Sequence, residues 1–461
     1  MENFSVLELS ELDQIMPRLY MRWLLCIPIT GASPSKAAIV DLLENGVKAA
    51  VEKMPILQGI VVPKPLDSSR LEVHIPKDSH VYELRIQHHD GDNDNTFPTY
   101  DSLREADFAP SSLPDRLLTP PDIDPNPVFD MMATFIRGGL LLCIKFHHAV
   151  VDGVGLALVI KYLAQNCYKF SVRDSSTPII PPSIDRAILP PRRTPCTRKT
   201  TGFNVVDLDE AGCKSAKEYG AMTSHTFRFS SDSLRILKGI CQNPVSMIST
   251  QDALTALLYG SVSHARGLRF TMESDEVTTI PSVMGVAVNG RGRLEPPAVD
   301  YTGNFTMYAT FACPISLPTE NIIRQSFKDL DKLSKHLNLP ALASQSRAAI
   351  TAVTHDSIVS VISTAASLQD ISRLQPAFSN YFQGTDFFIT CATEFPVFEQ
   401  DWWTGGRVET WRMPFKKEWD GSCAVLPTKD RSKGLDILLG LREDDMAIVK
   451  EILISFGAIV L

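Results

Sequence analysis

The sequence predicts a mixed α/β (α+β) protein with two domains, and three observations support this prediction. The chain has 461 residues, which is more than one hydrophobic core usually organises, so two domains of roughly 200 residues each are expected. Short apolar segments of strand length alternate with longer segments of helical periodicity. Prolines are dense between residues 178 and 205, where they prevent a helix or a central strand from continuing.

The proline-dense stretch determines the predicted domain boundaries. We interpret residues 178–205 as an extended crossover linker. The N-terminal domain is then predicted over residues 1–177 and the C-terminal domain over residues 206–461.

Composition narrows the classes of function. Charged residues make up 21% of the chain and hydrophobic residues 44%, as in ordinary globular enzymes. The net charge of −8 argues against nucleic acid or an anionic membrane as the main partner.

The nine cysteines form no Cys-x-x-Cys pair, and this pattern favours reduced thiols and no metal site. No signal-like or membrane-spanning run is visible, so the expected location is the cytoplasm.

In the first domain, periodicity predicts strands that lead into one conspicuous motif. Two apolar strands at 128–135 and 138–146 are joined by a turn at Arg137-Gly138-Gly139, and a mostly buried helix follows over 154–167. Upstream, a helix begins after Ser33 or Ser35. The polar run that starts with His88-His89-Asp90 is interpreted as an exposed acidic loop, with a weak metal site as the alternative. The other predicted strands of this domain lie at 20–28, 59–62 and 71–75.

In the second domain, strands and helices again alternate. A strand at 224–230 leads to a helix at 231–241 capped by Ser231 or Asp232, and a longer helix opens at Ser249 and runs to Arg266. Further strands are predicted at 280–288, 387–391 and 436–441, and further helices at 319–337, 341–360 and 442–456.

The motif His147-His148-Ala149-Val150-Val151-Asp152-Gly153 lies at the turn from an apolar strand to a buried helix. A histidine titrates near neutral pH and can take a proton from a hydroxyl or amine as that group attacks a carbonyl. Asp152 has two possible roles here. It can bond the other ring nitrogen of His148, or it can turn away and pair with a distant cation that holds the loop. The spacing His-x-x-x-Asp alone is common by chance. The doubled histidine, the Asp-Gly pair and the preceding strand make the whole motif more specific than this spacing.

Three other stretches carry polar or aromatic groups of interest. The helix start at Ser249-Thr250 offers free backbone amides for an anion, although an ordinary helix cap is the preferred explanation. The glycine-flanked arginines of Asn289-Gly290-Arg291-Gly292-Arg293 suit either phosphate or internal ion pairs. Trp402, Trp403 and Trp411 form a cluster that suits either a substrate cavity or core packing.

Together these stretches resemble the BAHD acyltransferases, and more particularly the fungal branch that includes trichothecene acetyltransferases. The resemblance covers nearly the whole length. It includes His148 to Gly153 and four other stretches: Leu9-Ser10-Glu11-Leu12-Asp13, Pro55-x-Leu57-x-Gly59, Ser249-Thr250-x-Asp252-Ala253-Leu254, and Asn289-Gly290-Arg291-Gly292-Arg293-Leu294 with the following Tyr301-x-Gly303-Asn304. Their order and spacing are more specific than any one motif.

The resemblance implies two chloramphenicol-acetyltransferase-like domains with a solvent channel between them. His148 would be the general base that activates an acceptor hydroxyl, which attacks the CoA thioester and gives a tetrahedral intermediate. Asp152 would shape the turn, with His147 and Gly153 as structural members of the motif. Ser249 and Thr250 are assigned to acyl-CoA binding. The family pattern also implies a monomer, with acyl-CoA as co-substrate and no metal.

One stretch departs from the family. Its second motif, Asp-Phe-Gly-Trp-Gly, corresponds here to Asp401-Trp402-Trp403-Thr404-Gly405, so the aspartate and last glycine are kept and the middle three positions differ. The resemblance implies that this motif is remote from the channel chemistry and usually structural, with its aspartate paired to an arginine. We group Asp401 with His148 and Asp152 as candidate catalytic residues and expect it to pair with Arg291.

The leading hypothesis is a CoA-dependent O-acyltransferase, with acetyl as the expected acyl group and a hydroxylated terpenoid or polyketide as acceptor. N-acylation uses the same base and stays open. A free-standing condensation-type enzyme shares the His-His-x-x-x-Asp-Gly signature and would take its acyl group from a carrier protein. A non-catalytic relative that only binds a metabolite is the third hypothesis.

Overall fold

Two large β-sheets dominate the computed structural model of the protein. One sheet is centred in each half of the chain. Their central strands alternate with helices that cover the sheets, as the sequence predicts. The structure describes residues 3–77, 83–91, 97–174, 176–189, 199–207, 220–242, 247–273, 279–316, 329–379, 385–413 and 420–461.

The first large sheet contains the strand that precedes the motif. Its order is β18-β2-β8-β7-β5 in the described residues, and every residue of its central strand β8 is buried. Alternate side chains of β8 enter two different cores: Leu142 packs with the helices at 36–53 and 153–171, whereas Leu141 packs with the helix at 100–105. Because both faces are covered, this strand is apolar without interruption, as the sequence indicated. Its strands are β2 (Tyr20–Pro28), β5 (Arg85–His89), β7 (Phe129–Ile136), β8 (Gly139–His147) and β18 (Thr410–Arg412).

The second large sheet has the order β14-β13-β17-β19-β20-β11-β21 among the described strands. The helix at 250–273 packs against it and is almost entirely buried along its first four turns. The strands of this sheet are β11 (Met222–Phe229), β13 (Val283–Asn289), β14 (Thr306–Ala312), β17 (Phe387–Cys391), β19 (Ser422–Val425), β20 (Leu435–Arg442) and β21 (Ala458–Val460).

Small sheets and helices complete the described fold. The small sheets use β1 (Phe4–Glu8), β3 (Ile60–Lys64), β4 (Asp67–Pro76), β6 (Asn126–Pro127), β9 (Lys199–Thr200), β10 (Phe203–Val205), β12 (Thr279–Ile280), β15 (Ile315–Ser316) and β16 (Leu374–Pro376). The helices are α1 (Glu11–Gln14), α2 (Lys36–Lys53), α3 (Tyr100–Glu105), α4 (Asp115–Leu118), α5 (Gly153–Ser171), α6 (Ser231–Ile240), α7 (Thr250–Glu273), α8 (Leu330–His336), α9 (Leu339–Thr351), α10 (His355–Ser367) and α11 (Glu443–Ser455).

One strand crosses between the halves. β18 belongs by sequence to the C-terminal half, yet it pairs with β2 at the edge of the first sheet. Trp411 of β18 lies in the same core as Trp23 of β2, and the two rings meet edge to face at 4.9 Å. The division into residues 1–177, 178–205 and 206–461 therefore stays a prediction. It does not account for the pairing of β18 with a strand of the N-terminal half.

Several local predictions are corrected by the structure. His88 and His89 lie on strand β5, which pairs in parallel with β7, so this part of the predicted acidic loop is wrong. The helix predicted at 231–241 is capped by Ser230, one residue earlier than either predicted cap. The helix predicted at 341–360 is broken into α9 and α10, and the first part of the helix predicted at 319–337 lies outside the described residues.

Within the described part of the chain, no single helix is long and apolar enough to cross a bilayer. The pair α9 and α10 reaches the length and composition only jointly, across a bend of 71°. The described residues also contain no cluster of three or more His, Cys, Asp or Glu side chains suited to a metal ion.

The contact between α2 and α5 makes a first prediction. A Cβ at Gly46 would lie 3.0 Å from the backbone nitrogen of Cys167 and 3.2 Å from its Cα, and it would overlap Sγ. At Gly239 in α6 nothing lies within 4 Å. Gly46→Ala should therefore lower the thermal unfolding temperature, whereas Gly239→Ala should raise stability by about 0.5–1 kcal/mol through helix propensity. Equal shifts for the two variants, in thermal unfolding, would contradict this account of the helix contact.

Candidate active site

The His147–Gly153 motif forms the turn between β8 and α5. β8 ends at His147 and α5 begins at Gly153. Asp152 is the N-cap of α5, and its Oδ1 accepts a hydrogen bond of 2.8 Å from the backbone nitrogen of Gly155. This cap satisfies one of the amides that a helix start leaves free. The turn from strand to helix is therefore fixed by the motif's own aspartate, and the predicted placement of the motif is confirmed.

Both glycines after the motif allow close packing across the site. A Cβ on Gly155 would lie 2.8 Å from the carbonyl carbon of Thr302, and one on Gly153 would lie 2.9 Å from Cζ of Phe395. Real Cβ atoms do not approach other atoms so closely. The start of α5 therefore touches two segments from the second half of the chain, and these contacts leave no room for a side chain.

Asp152 points away from His148 and binds a distant arginine. Its two oxygens accept hydrogen bonds of 2.9 and 2.8 Å from the guanidinium of Arg291, 139 residues along the chain. The backbone nitrogen of Phe305 and the hydroxyl of Thr306 donate to the same carboxylate. Both charged side chains are at most 1% exposed. Of the two roles considered for Asp152, the structure selects the pairing with a distant cation.

Electrostatics keep this carboxylate ionised. Burial by itself raises the pKa of Asp152, but the charge and hydrogen bonds of Arg291 and the amides of Gly155 and Phe305 outweigh it. The pKa of Asp152 consequently lies below its ordinary value. Arg291 also donates to the carbonyls of Tyr301 and Gly303, so its donors are engaged throughout the loop that carries it.

The expected pair between Asp401 and Arg291 is wrong. Asp401 pairs instead with Arg407, at 2.6 Å, and the two residues also form an isolated backbone bridge. Arg407 is only six residues away along the same loop, while Arg291 is taken by Asp152. Because the Arg407 side chain is 54% exposed, this pair is a local surface contact. A catalytic role for Asp401 stays a prediction.

His148 is the member of the motif suited to proton transfer. The residue is partly exposed, whereas its Nδ1 is buried and meets no hydrogen-bond partner among the described residues. Burial lowers the pKa of His148 below its ordinary value, against the opposing effects of backbone carbonyls, the Asp152 charge and the Asn304 side chain. The imidazole is neutral at neutral pH and able to accept a proton.

His147 has a structural environment. Its ring is buried edge-on against Tyr20 at 5.2 Å, and its Nδ1 accepts a 3.3 Å hydrogen bond from the backbone of Ala149. Burial and the neighbouring His148 lower the pKa of His147 to about 4. The ring stays neutral across the physiological range and packs the base of the turn.

A buried network of Asp13, Asn304 and Arg186 contacts the turn between β8 and α5. No local sequence pattern predicts this network. Asp13 of α1 accepts hydrogen bonds of 2.8 Å from both the backbone nitrogen and the side-chain amide of Asn304. That amide also donates to the carbonyl of His148, at 2.9 Å. Arg186 of the linker pairs with Asp13 and donates to the carbonyl of Val150. Asp13 and Asn304 both lie in stretches that carried the resemblance, but no local pattern predicts that they meet.

Ser249 forms a helix cap. Its hydroxyl and backbone nitrogen donate to Asp252, and the backbone nitrogen of Asp252 donates back to the hydroxyl. Arg347 completes the arrangement with a 2.8 Å hydrogen bond to the same carboxylate. The ordinary-cap interpretation therefore explains Ser249, and the assignment of Ser249 and Thr250 to acyl-CoA stays a prediction.

The tryptophan cluster is part of a core. Trp402, Trp403 and Trp411 are each at most 1% exposed and lie in the core of the first sheet. Trp23 links this cluster to the motif through its stacked partner Phe395, which meets Gly153. Of the two interpretations of the cluster, core packing fits this burial.

A cleft of about 440 Å³ opens at the junction of the two halves. One wall comes from residues 14–18 and from the turn at Ser68 and Ser69, and the other from residues 370–374. The next residue after the first wall, Leu19, accepts a hydrogen bond of 2.8 Å from the backbone nitrogen of His148. This backbone contact connects the segment that forms the first wall with the motif.

Comparison with known proteins identifies the class. Residues 19–167 match the trichothecene 3-O-acetyltransferase-like N-terminal domain. An eremophilane O-acetyltransferase of Penicillium rubens is 26% identical, with 95% of this chain and 94% of the relative covered. The trichothecene 3-O-acetyltransferase of Saccharomyces cerevisiae is 27% identical over 64% of this chain and 66% of its own length. This chain is accordingly an acyltransferase.

Solved structures show the same fold. F. graminearum TRI101, in complex with coenzyme A and deoxynivalenol, superposes with a TM-score of 0.80 at 21% identity, and 97% of each chain is covered. Vinorine synthase reaches a TM-score of 0.63 at 14% identity, with 97% of this chain and 92% of that chain covered. The first condensation domain of the calcium-dependent antibiotic synthetase reaches only 0.52 at 14% identity, with coverage of 95% and 90%.

These comparisons confirm the resemblance to the BAHD-type acyltransferases and to the fungal branch of trichothecene acetyltransferase-like enzymes. The predicted two-domain, chloramphenicol-acetyltransferase-like α/β fold is confirmed.

The buried pair makes a second prediction. Asp152→Asn keeps the shape of the cap but leaves the Arg291 guanidinium buried without a counter-charge, so the free energy of unfolding should fall by about 3–5 kcal/mol. Asp401→Asn breaks the exposed pair with Arg407 and should change it by about 0–1 kcal/mol. Denaturant unfolding of both variants checks the contrast. A large loss for Asp401→Asn with little for Asp152→Asn would contradict it.

Proposed function

We propose that this protein transfers an acetyl group from acetyl-CoA to a hydroxyl of a terpenoid-type secondary metabolite. The observation that carries the proposal is His148, a partly exposed residue with a neutral imidazole, on a turn that a buried ion pair holds in place. His148 takes the proton of the acceptor hydroxyl as its oxygen attacks the thioester carbon. The tetrahedral intermediate then expels CoA thiolate, which recovers that proton from the imidazolium.

The residues around His148 support this chemistry by fixing its position. A general base contributes to rate only where it lies within hydrogen-bond reach of the proton it removes. The Asp152–Arg291 pair, the Leu19 carbonyl and the Asn304 amide hold the turn on three sides. With Asp152 turned away, no carboxylate among the described residues lies in hydrogen-bond contact with the ring charge that forms during transfer.

The names of the relatives support the choice of substrates. The relatives named above act on eremophilanes and trichothecenes, and the TRI101 structure was solved with coenzyme A. We assign the acceptor to the cleft between residues 14–18 and 370–374, because it lies beside the Leu19 contact to His148. The assignment of Ser249 and Thr250 to acyl-CoA is proposed with it.

The test of the function is thiol release from acetyl-CoA in the presence of eremophilane-type and trichothecene-type alcohols. His148→Ala should lower acceptor-dependent release by about 10²–10⁴-fold, the usual contribution of a general base. His147→Asn should cost much less, because an asparagine oxygen can still accept the Ala149 amide. Full activity of His148→Ala would disprove the proposed role of this histidine.

The two alternative functions predict no thiol release from acetyl-CoA in the same assay. A condensation-type enzyme would ignore acetyl-CoA and use an acyl carrier protein, and a non-catalytic relative would bind the metabolite without releasing thiol. Calorimetric titration with CoA separates the cases, because only the proposed function requires CoA binding. Mass spectrometry of the product with hydroxyl-bearing and amine-bearing analogues distinguishes O- from N-acylation.

The lowered pKa of His148 makes a third prediction. The free enzyme is active with His148 neutral, so kcat/KM rises with pH through the pKa of this residue and then levels. Because burial lowers that pKa, the acid limb should lie below the ordinary histidine value of about 6.5. Thiol release measured between pH 4.5 and 8 checks this. A limb above the ordinary value would contradict the buried environment described for the ring.

We further propose that the protein acts as a monomer in the cytoplasm and engages neither nucleic acid nor membrane. The seven described cysteines are free thiols, which suits a reducing compartment. The net charge of −8 opposes polyanionic partners. Sedimentation of the purified protein and imaging of a fluorescent fusion test the two parts of this proposal.

A further inference from the structure

The cleft at the junction of the two halves has a buried apolar lining and one charged residue on each wall. The apolar side chains are at most 8% exposed: Ile15, Met16, Ile371 and Leu374. The charged residues are Arg18 on the wall from the first half and Asp370 on the wall from the second. Sites for small molecules are mostly apolar, with a few polar groups that fix orientation. This lining suits a compact hydrocarbon skeleton that carries oxygen atoms at its edges.

Hydrogen bonds hold both walls of the cleft in place. The side chain of Gln14 donates to the carbonyl of Leu71 at 2.7 Å and accepts from its backbone nitrogen at 2.8 Å. The guanidinium of Arg70 reaches into the second half and donates to the carbonyls of Ala365 and Leu368, at 3.2 and 2.9 Å. The segment that leads into the second wall is thereby attached to β4. A ligand enters a cleft whose walls are already ordered, so little binding free energy is lost in arranging them.

Arg18 and Asp370 each keep hydrogen-bonding capacity that the protein does not use. Arg18 donates to the carbonyl of Ser69, and the rest of its guanidinium meets no acceptor among the described residues. Oδ1 of Asp370 accepts from the backbone nitrogen and the hydroxyl of Ser372, at 2.9 and 2.6 Å. Its Oδ2 meets no donor in the part of the chain that the structure describes. A guanidinium only donates and a carboxylate only accepts. The cleft therefore offers donors on one wall and an acceptor on the other.

Arg18 also connects the cleft with the motif. The next residue, Leu19, accepts the 2.8 Å hydrogen bond from the backbone nitrogen of His148. Burial and the neighbouring His148 lower the pKa of His147, and the charge of Arg18 adds to this effect. A ligand held by Arg18 is therefore bound next to the segment that contacts the motif.

We propose that Arg18 and Asp370 determine the specificity for the acceptor by binding two oxygen functions besides the reacting hydroxyl. Arg18 donates to a carbonyl oxygen of the acceptor, and Asp370 accepts from a second hydroxyl. The hydrocarbon skeleton lies against the apolar lining between them. The inference rests on the proposed function and names its substrate class, a polyoxygenated terpenoid alcohol. A site that hydrogen-bonds a substrate group discriminates against the analogue that lacks it.

The test of Arg18 uses two eremophilane-type alcohols that differ only in one ketone, with acetyl-CoA saturating. The wild-type KM should be about tenfold lower for the keto alcohol, since a hydrogen bond to a charged group is among the stronger ones. Arg18→Met keeps the apolar stem and removes every donor. It should raise the KM of the keto alcohol to that of the analogue, with kcat and the KM for acetyl-CoA nearly unchanged.

The test of Asp370 uses a diol and the matching alcohol without the second hydroxyl. Asp370→Ser keeps an oxygen that can accept from the backbone of Ser372 but removes the second oxygen. The preference for the diol should disappear in this variant. Arg235→Met and Asp232→Ser are the matched controls, because these residues form an exposed pair outside the cleft. Both controls should keep the wild-type preferences.

A ketone preference that survives in Arg18→Met, or a diol preference that survives in Asp370→Ser, would overturn the proposal. An equal rise in KM for both members of a pair would do the same, because it indicates general damage. Calorimetric titration of the same alcohols into His148→Ala with acetyl-CoA measures acceptor binding without turnover. Tighter binding of the keto alcohol, lost when Arg18→Met is added, is expected. Absence of thiol release with every alcohol would count against the proposed function, while the titration still decides this inference.

Discussion

The structure depends on one buried ion pair, between Asp152 and Arg291. It joins the turn after β8 to a loop of the second half, and five donors from both halves of the chain converge on the carboxylate. A buried pair contributes little net stability, because desolvation of both charges offsets most of their attraction. Its contribution here is geometric: with Arg291 and the Phe305 amide in place, α5 can begin at one position only. This constraint determines the position of His148.

The Asp13 network is the counterpart of this pair on the other side of the turn. Asp13, Arg186 and Asn304 come from the first helix, the linker and the second half of the chain, and they meet at the carbonyls of His148 and Val150. Each carries a group that would be costly to bury alone. Together they satisfy one another and surround the turn with fixed dipoles. Segments remote in sequence therefore determine the environment of a single imidazole.

The sequence predicted the local features of this site and missed the distant ones. The turn at His147–Gly153 was predictable, because an uninterrupted apolar strand and a glycine-flanked helix start are local signals. The partner of Asp152 lies 139 residues away, and no local sequence pattern predicts that the two residues pair. The expected pair of Asp401 with Arg291 failed because a nearer cation, Arg407, competes for that carboxylate. His88 was assigned to a loop, since only the parallel pairing of β5 with β7 makes that polar segment a strand.

The exchange of β18 has a consequence for how the molecule is made. The first sheet reaches its final edge only when residues 410–412 pair with β2, and Trp402, Trp403 and Trp411 complete the core of that sheet. During synthesis the N-terminal half therefore emerges from the ribosome long before its last core side chains exist. Until then the edge of β2 is uncovered and the face around Trp23 is incomplete, which is the kind of surface that chaperones bind and that aggregates. The N-terminal half therefore depends on residues of the C-terminal half to complete its sheet and its core.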